Sequence, residues 1–596
     1  MKRIIYYILI LSISAGIVSC EDKYLDIDPI DGSSSSTFFA SADELQLAIN
    51  AIYGRVVSVA PEGLPMFMLM DTWLTDNGLY RITDEQYGFR LLSNSQHDPG
   101  SGFGGIYSAY YTSITRCNNM LENMNKAEET MSPEQFNDFK AQALTMRAYF
   151  YSVLVQLFGD VPYMDFMPQS PTDGFIPRTP KAEIIENIMS DLDDAATLID
   201  ATLTGSQERI TLTTVYALKA RIALFAKEYG EAITAADNAL DAAVSQGIAL
   251  HSDYAELFQL SGEGAGEVLL HKPYNEDANV FTYFNLRMGS RFGHFSQTAP
   301  TQNLIDAYPT INGLSITDDP AYDPTNPWEN RDPRLRASVV MPQDIWGGIV
   351  YESHRDSLTV TDYRGNTPTQ ISNRNCRSAS WPACLTGYLW KKYVDEASMA
   401  DGKTATYIDW IVLRLGEVYL IKAEAEIENN GDLQAAADAL NMLRERAYGP
   451  GYPMISVSDQ ASMRKILRIE RRVELANEGH RYTDGLRWGI LESMRGEALI
   501  GRPMNLETHS YIPTIDDDGV THYAESGKSQ YDDWRSLLMS DGTVDPTGYD
   551  TRLFGNWTNA VDRNFTAPRD YLLPIPQEEI DLYEANGFVL TQNDGY

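Results

Sequence analysis

Three glutamates with helical spacing are the first candidates for chemistry. Glu470, Glu474 and Glu478 stand at i, i+4 and i+8 in ERRVELANE, so a helix would present them on one face. A row of carboxylates could bind a metal ion or perform acid–base chemistry. Arginines flank the row, so structural ion pairs are the favoured interpretation, with Arg471, Arg472 and Arg481 as partners.

No assembled catalytic motif accompanies this row. The sequence has no HExxH, GxSxG or P-loop pattern, and its Gly262–Gly266 stretch lacks the lysine of a phosphate-binding loop. The eight histidines are scattered without ligand spacing, and His480 is interpreted as a helix-capping or dipole partner. We therefore predict a protein that is not an enzyme and needs no cofactor or metal. An enzyme would require two carboxylates that converge in a cleft.

The elements that position these residues are mostly helical. The stretch Tyr407–Gly489 is interpreted as three consecutive helices, two of them an antiparallel pair with apolar residues at a 3.6-residue period. The pair turns at 429–432, where Gly431 is expected to supply the special backbone angle and Asp432 the cap. Residues 213–244 form a second, degenerate pair of the same tetratricopeptide kind. Ser132-Pro133 begins a further helix that ends at Gly159.

Two proline-punctuated stretches interrupt the helices. The predicted fold is mainly α, a tetratricopeptide-like helical-pair scaffold with large loop-rich insertions. Residues 41–596 are expected to form one domain. Its helical repeats lie mainly in 106–246 and 407–489, and its loop-rich ligand lobe lies mainly in 60–105, 261–405 and 497–569.

Charge narrows the possible partners. The 596 residues include 47 basic and 83 acidic side chains, a net charge of −36. Such an excess of negative charge argues against electrostatic binding to nucleic acid or to an anionic membrane surface. Aromatic residues make up 11% of the chain, which is ample material for stacking surfaces.

The N-terminus has the pattern of a targeting segment. A basic start and the apolar run Ile4–Ile13 precede small residues and Cys20, so residues 1–19 resemble a bacterial lipoprotein signal peptide. Cys20 would then carry lipid, and residues 20–40 would form a lipidated tether. An ordinary signal with an incidental cysteine is the alternative. Three other cysteines remain: Cys117 is predicted to be a buried small hydrophobe, whereas Cys376 and Cys384 could be bridged or free.

Blocks spread along the chain resemble the SusD/RagB family of Bacteroidetes outer-membrane lipoproteins. The ordered set is specific, although no block is decisive. The blocks are Cys20 with Tyr24-Leu25-Asp26, RAYFY at 147–151, LFGDVP at 157–162, 214–229, PTQNLIDAY at 300–308, RDPR at 331–334, 414–446, ERRVELANEGHR at 470–481, RWG at 487–489 and PIP at 574–576. The chain ends NDGY where the family more usually has NPGY.

The resemblance implies a non-catalytic, surface-exposed lipoprotein of the cell outer membrane. It would bind a glycan and deliver it to a SusC-like TonB-dependent transporter, with lipid as its only membrane contact. In such proteins the helical repeats face the transporter and the loops carry the ligand. Two alternatives stay open: a tetratricopeptide scaffold that binds only proteins, and a binder of another nutrient such as a peptide.

If the ligand is a glycan, exposed rings on loops should stack on sugar faces while polar groups read hydroxyls. The first candidate stretch is Asp71–Tyr80 with its continuation, the second is Tyr283–Phe292, and the third surrounds Gly347-Gly348. The predicted ligand residues are Trp73, Asp76, Asn77, Tyr80, Tyr87, Tyr283, Arg287, Phe292 and Trp346. Packing into the core is the favoured interpretation for Trp73 and Trp346, which remain ligand candidates, and also for Trp410 and Trp488.

Overall fold

The fold is dominated by helices in a computed structural model that describes residues 38–56, 66–80, 89–93, 95–200, 209–275, 296, 298–376, 383–396, 406–531 and 563–596. Its α-helices, in chain order, are α1 Ala42–Tyr53, α2 Met66–Leu74, α3 Phe89–Ser93, α4 Gly104–Asn123, α5 Pro133–Phe158, α6 Lys181–Leu198, α7 Leu212–Ala226, α8 Tyr229–Ser245, α9 Gln302–Ala307, α10 Pro333–Ser338, α11 Leu415–Glu428, α12 Leu433–Tyr448, α13 Gln460–Glu474, α14 Arg481–Trp488, α15 Leu491–Gly496, α16 Glu525–Lys528 and α17 Gln577–Ala585.

The strands are short and antiparallel. They are β1 Gly78–Tyr80, β2 Val268–Lys272, β3 Thr298–Pro300, β4 Val339–Val340, β5 Ile345–Trp346, β6 Ile349–Val350, β7 Thr359–Asp362, β8 Thr369–Ser372, β9 Leu389–Trp390, β10 Trp410–Arg414, β11 Thr514–Ile515 and β12 Thr521–His522. Four two-stranded pairs join β1 to β3, β2 to β10, β4 to β9 and β11 to β12, and β5 to β8 form a four-stranded meander.

Capping residues begin the helices where the sequence predicts. The Ser132 side chain accepts a hydrogen bond from the backbone N–H of Gln135, Pro133 is the first helical residue of α5, and Gly159 ends that helix. Asp432 caps α12 by accepting from the N–H groups of Gln434 and Ala435. The packed pairs α7–α8 and α11–α12 confirm the predicted helical-pair scaffold.

The turn between α11 and α12 differs from the prediction in one detail. Asn430, not Gly431, has the left-handed backbone angle, with φ of 51°. Gly431 is required for a different reason: a Cβ atom there would lie 2.2 Å from Oε2 of Glu426. That carboxylate accepts a hydrogen bond from the N–H of Asp432, at 2.8 Å, so it closes the turn.

The start of the 407–489 stretch was wrongly predicted to be helical. Trp410–Arg414 is strand β10, and it pairs with β2 from a distant part of the chain. Its run of β-branched and aromatic residues suits a strand, and both faces are largely buried, so the apolar pattern does not alternate. Four helices, α11 to α14, follow where the sequence predicts three in all.

Helix α13 lies between the two predicted parts of the molecule. Its Met463 and Leu467 pack with Leu440 and Leu443 of α12 in a core of the helical scaffold. Its Ile469 and Val473 pack instead with residues of the loop-rich part, in a core that holds Leu304, Tyr308, Trp328, Leu335 and Trp390. One helix therefore contributes apolar side chains to both cores.

Candidate functional site

The carboxylate row of α13 is buried and ion-paired. Glu470 lies 2.8 Å from a guanidinium nitrogen of Arg334, and Glu474 lies 3.1 Å from another. Arg414 contacts Glu474 at 2.8 Å and Glu478 at 2.7 Å. The ion-pair interpretation is therefore confirmed, and the row belongs to the architecture.

The positive partners lower the pKa of these carboxyl groups. Burial would raise the pKa of Glu474, but the guanidinium groups of Arg446 and Arg414 outweigh burial and lower it. Arg334 and Arg444 act in the same way on Glu470. All these carboxylates are charged at neutral pH and engaged by fixed donors, so none is available as a proton donor.

The predicted partners of the row were wrong, because residues at i+1 and i+2 leave a different side of a helix. Arg471 pairs with Asp484 at 2.9 Å, and Arg472 pairs with Asp76 at 2.9 Å. The prediction for His480 was also wrong: it occupies the N-cap position of α14 but makes no side-chain cap hydrogen bond, and its Nε2 lies 3.8 Å from Glu417.

The short strand β3 joins the first and the third candidate ligand stretches. Tyr80 of β1, at the end of the first stretch, pairs with Thr298 of β3. Ala299 of β3 packs in a small apolar core with Trp346, the third candidate. The sequence predicts these two stretches separately, and β3 contacts both.

The turn that carries Asp76 and Asn77 is fixed from two sides. Thr301, just after β3, donates its backbone N–H to the Asn77 carbonyl at 3.1 Å and its hydroxyl to the Asp76 carbonyl at 2.6 Å. From the scaffold, Arg481 donates to Asp76 at 3.0 Å, and Arg472 donates to Oδ1 of Asn77 at 2.8 Å. The sequence did not predict that Arg472 and Arg481 hold this turn. In the sequence they are visible only as cations beside the carboxylate row of α13.

The described candidate rings are buried instead of exposed. Trp73 and Tyr80 stack with centroids 5.0 Å apart, and each is 7% exposed. Trp346 is 4% exposed and packs against Val340 and Leu389. Trp73 and Trp346 therefore pack in the core, as the favoured interpretation predicts, whereas the expectation of an exposed ring is wrong for Tyr80. Contact with a ligand stays a prediction for them and for Asp76 and Asn77.

Other candidates lie outside the described residues. These are the lipidation site Cys20 with the signal peptide, most of the tether, and the predicted ligand residues Tyr87, Tyr283, Arg287 and Phe292. Among the described cysteines, Cys117 is buried as predicted, and Cys376 and Cys384 are buried and not disulfide-bonded. Trp410 is in the core, whereas Trp488 is half-buried and donates its indole N–H to Glu424 at 2.7 Å.

A polar cleft of about 260 Å³ opens in the loop-rich part. Its lining combines amide, carboxylate and ring groups, including Asn312, Asp319, Tyr322 and Asn326. Asp319 is held by Thr310 and by Asn312, whose amide nitrogen donates to it at 3.0 Å. None of the three candidate stretches predicted from the sequence includes the residues that line this cleft.

Two features are absent from the described ranges. In those ranges no three His, Cys, Asp or Glu side chains are grouped so that they could hold a metal ion. Nor does any helix there combine the length and apolar character needed to cross a membrane.

Comparison with known proteins gives two family matches. A family model described as "SusD family" matches residues 274–596, and one described as "Starch-binding associating with outer membrane" matches residues 24–224. SusD-like protein P2 of Formosa agariphila is 26% identical over 494 residues, which cover 81% of this chain and 89% of that protein. SusD-like protein P25 of the same organism is 22% identical and covers 82% of this chain and 90% of its own length.

Solved structures share the fold along nearly the whole chain. A SusD-like carbohydrate binding protein of Bacteroides fragilis has a TM-score of 0.73 at 23% identity and covers 92% of this chain and 99% of its own. Surface glycan-binding protein A of Bacteroides thetaiotaomicron, solved in complex with laminarihexaose, has a TM-score of 0.59 at 17% identity, with coverage of 92% and 99%. The first family model spans more than half of the sequence and the fold agrees with it, so this chain belongs to the SusD family.

Proposed function

We propose that this chain binds an oligosaccharide at the cell surface and delivers it to a SusC-like TonB-dependent transporter, without catalysis. The observation that carries the proposal is the fold shared with a SusD-like carbohydrate binding protein over 92% of this chain. The glycan-binding protein solved with laminarihexaose supports the ligand class. The excess of acidic residues, a net charge of −36, is compatible with a neutral or sparsely charged glycan.

The ligand residues proposed are those of the three candidate stretches, of which β3 joins the first and the third. Trp73, Tyr80 and Trp346 would support the site from beneath, because they are buried. Tyr87, Tyr283, Arg287 and Phe292 would supply ring faces and hydroxyl-reading groups, as their residue types suit. Asp76 and Asn77, held by Arg481 and Arg472, would position the turn.

The partner and the location are part of the same proposal. The chain would be anchored in the outer membrane through lipid on Cys20, which follows a signal-peptide pattern. The family description that mentions association with the outer membrane supports this location. Exposure to the outside and contact with the transporter follow from the family resemblance, and co-purification of the tagged chain with a TonB-dependent protein would test the contact.

Affinity electrophoresis against a panel of neutral polysaccharides tests the ligand class. We expect at least one polysaccharide in the gel to retard the purified chain, while a protein of similar size that binds no glycan migrates unchanged. If no polysaccharide retards it, the glycan assignment is rejected in favour of a peptide ligand or a protein-binding scaffold.

A pair of aromatic variants tests the site. Tyr283→Ala should weaken polysaccharide binding by roughly tenfold, since a stacked ring contributes on the order of 1 kcal/mol or more. Phe166→Ala is the control, because Phe166 is 40% exposed, follows α5 of the helical scaffold and is not among the proposed ligand residues. Equal binding by the two variants would exclude Tyr283 from the site.

Fractionation tests the anchor. Cys20→Ala should move the chain from the membrane fraction to the soluble fraction, because lipid is the only membrane contact proposed. A variant that stays in the membrane fraction after signal cleavage would show that the lipid assignment is wrong.

A further inference from the structure

The buried guanidinium group of Arg563 has no acceptor among the described residues. All three of its guanidinium nitrogens are shielded from solvent, and no acceptor within the described part of the chain reaches them. The neighbouring backbone is anchored, since the N–H of Asn564 donates to the Ser93 carbonyl at 3.1 Å. Buried guanidinium groups normally have hydrogen-bond partners, so this one requires an explanation.

Arg495, which lies near Arg563, also has guanidinium nitrogens without an acceptor among the described residues. Its Nη1 donates to the Leu92 carbonyl at 2.8 Å, but Nε and Nη2 are buried without an acceptor in the described ranges. Its guanidinium carbon lies 5.2 Å from the ring centre of Phe565, two residues after Arg563. The two cations therefore share one region between α3, α15 and the chain after Arg563.

Asp76 does not supply the missing acceptor for Arg563 and Arg495, because two other arginines engage both of its carboxylate oxygens. Its Oδ1 lies 3.0 Å from Nε of Arg481, and its Oδ2 lies 2.9 Å from Nη2 of Arg472. Burial would raise the pKa of Asp76, but these two arginines lower it to about 2. Asp76 attracts Arg563 from a distance while Arg495 repels it, and burial together with that repulsion lowers the pKa of Arg563 to about 10.

The other acidic groups nearby are also committed. Asp570 accepts from the Nε of Arg569 and from the N–H of Thr566, both at 2.9 Å, and Arg495 reaches it only at 3.8 Å. Burial raises the pKa of Asp71 to about 7, so this carboxyl group is only partly charged at neutral pH. Among the described residues, the cluster thus holds the buried guanidinium groups of Arg472, Arg481, Arg495 and Arg563 and the half-buried one of Arg569, against the carboxylates Asp76 and Asp570.

We propose that Arg563 and Arg495 form a binding site for an oxyanion, a carboxylate or sulfate group, that completes this charge cluster. The excess of buried positive charge is costly without a counter-ion. A planar guanidinium fork also matches the paired oxygens of a carboxylate or a sulfate. Asp76, which attracts Arg563, lies in the turn between Trp73 and Tyr80, so an anion here would lie near the first candidate stretch.

The anion has two possible sources with the same chemistry. It could be a free inorganic anion, which does not depend on the proposed function. It could also be the acidic substituent of a glycan, a uronate or a sulfate ester, and this version rests on the proposed glycan binding.

Thermal unfolding of the full chain in sodium sulfate tests the site without any glycan. Arg563→Met removes the unmatched charge, so without sulfate its Tm should equal or exceed that of the wild type. Sulfate should then raise the Tm of the wild type by about 2 °C more than that of Arg563→Met. Arg364→Met measures the general salt effect, because Arg364 is 49% exposed and distant in the fold, and it should respond like the wild type.

Affinity electrophoresis in polygalacturonate identifies the source. Retardation of the wild type that is at least about tenfold weaker in Arg563→Met assigns the anion to an acidic glycan. A sulfate response without that difference assigns it to a free anion. Binding to neutral polysaccharides tests the proposed function separately and should not change in Arg563→Met.

The proposal is overturned if sulfate shifts the wild type and Arg563→Met equally, whatever the polysaccharides show. A lower Tm of Arg563→Met in the absence of sulfate would also contradict it. If Arg563→Met does not fold, Arg563→Lys serves instead: it keeps the charge but not the fork, and its sulfate response should be smaller than that of the wild type.

Discussion

Two buried clusters of charged side chains adjoin helix α13, and they differ in how evenly positive and negative groups are matched. Around Glu470 and Glu474 of α13, the carboxylates of Glu267, Glu470, Glu474, Glu478 and Asp332 face the cations Arg334, Arg414, Arg444, Arg446 and Lys392. Around Arg472 of the same helix, the described residues include five guanidinium groups and only the two carboxylates Asp76 and Asp570. Buried charge that is matched one to one can serve architecture, whereas unmatched buried charge is costly in the absence of a counter-ion.

The largest effect should follow from breaking the balanced cluster. Arg414→Met leaves Glu267, Glu474 and Glu478 without their shared partner, so the free energy of unfolding should fall by about 3–5 kcal/mol. Urea denaturation at pH 7 measures this loss. A loss below about 1 kcal/mol would show that the remaining cations compensate and that the balance is not essential.

A smaller and pH-dependent effect is expected in the unbalanced cluster. The folded-state pKa of Asp76, about 2, lies below the usual 3.8, so its stabilisation is fully present above about pH 4 and is lost as the pH falls toward 2. Asp76→Asn should therefore cost on the order of 2 kcal/mol at pH 7. The difference from the wild type should shrink steadily in denaturation curves from pH 5 to pH 2. If the difference in unfolding free energy between the wild type and Asp76→Asn does not vary with pH, the loss is due to packing and not to the charge of Asp76.

The smallest effect should come from an exposed ion pair. Arg364 and Asp362 lie 2.8 Å apart on the β7–β8 hairpin, and the Arg364 side chain is 49% exposed. Because water screens this pair, Arg364→Gln should change the stability by less than about 0.5 kcal/mol. Chemical denaturation at low and high salt checks this result. If Arg364→Gln lowers the free energy of unfolding as much as Arg414→Met does, burial does not explain why the two ion-paired sites differ in stability.

Local signals made much of the helical scaffold predictable. Ser132, Pro133 and Gly159 mark the two ends of α5, and the family resemblance fixed the fold class, which the comparisons confirm. The strand β10 escaped prediction because its pairing partner is β2, and nothing within 407–414 indicates that distant strand. A stretch of apolar residues without alternation fits a buried strand and a buried helix equally well.

The charge clusters could be predicted only in part. The spacing of Glu470 and Glu474 indicated one helix face, but Arg334 reaches Glu474 from 140 positions earlier in the chain. Likewise, Arg472 and Arg481 were visible as neighbours of the row, yet their contact with Asp76 depends on how the loop-rich part folds over α13. Contacts of this kind follow from tertiary structure and leave no periodic signal.

The β1–β3 pair also determines the order in which the molecule can be completed. Gly78 meets Pro300, and the neighbouring Asp76 meets Arg481, which is 405 positions later. During synthesis, the turn at Asp76 therefore cannot make its final contacts until most of the chain has emerged, whereas pairs such as α7–α8 can form early. The region proposed to bind ligand is thus among the last to be assembled, and a truncated chain would keep much of its helical scaffold without a finished site.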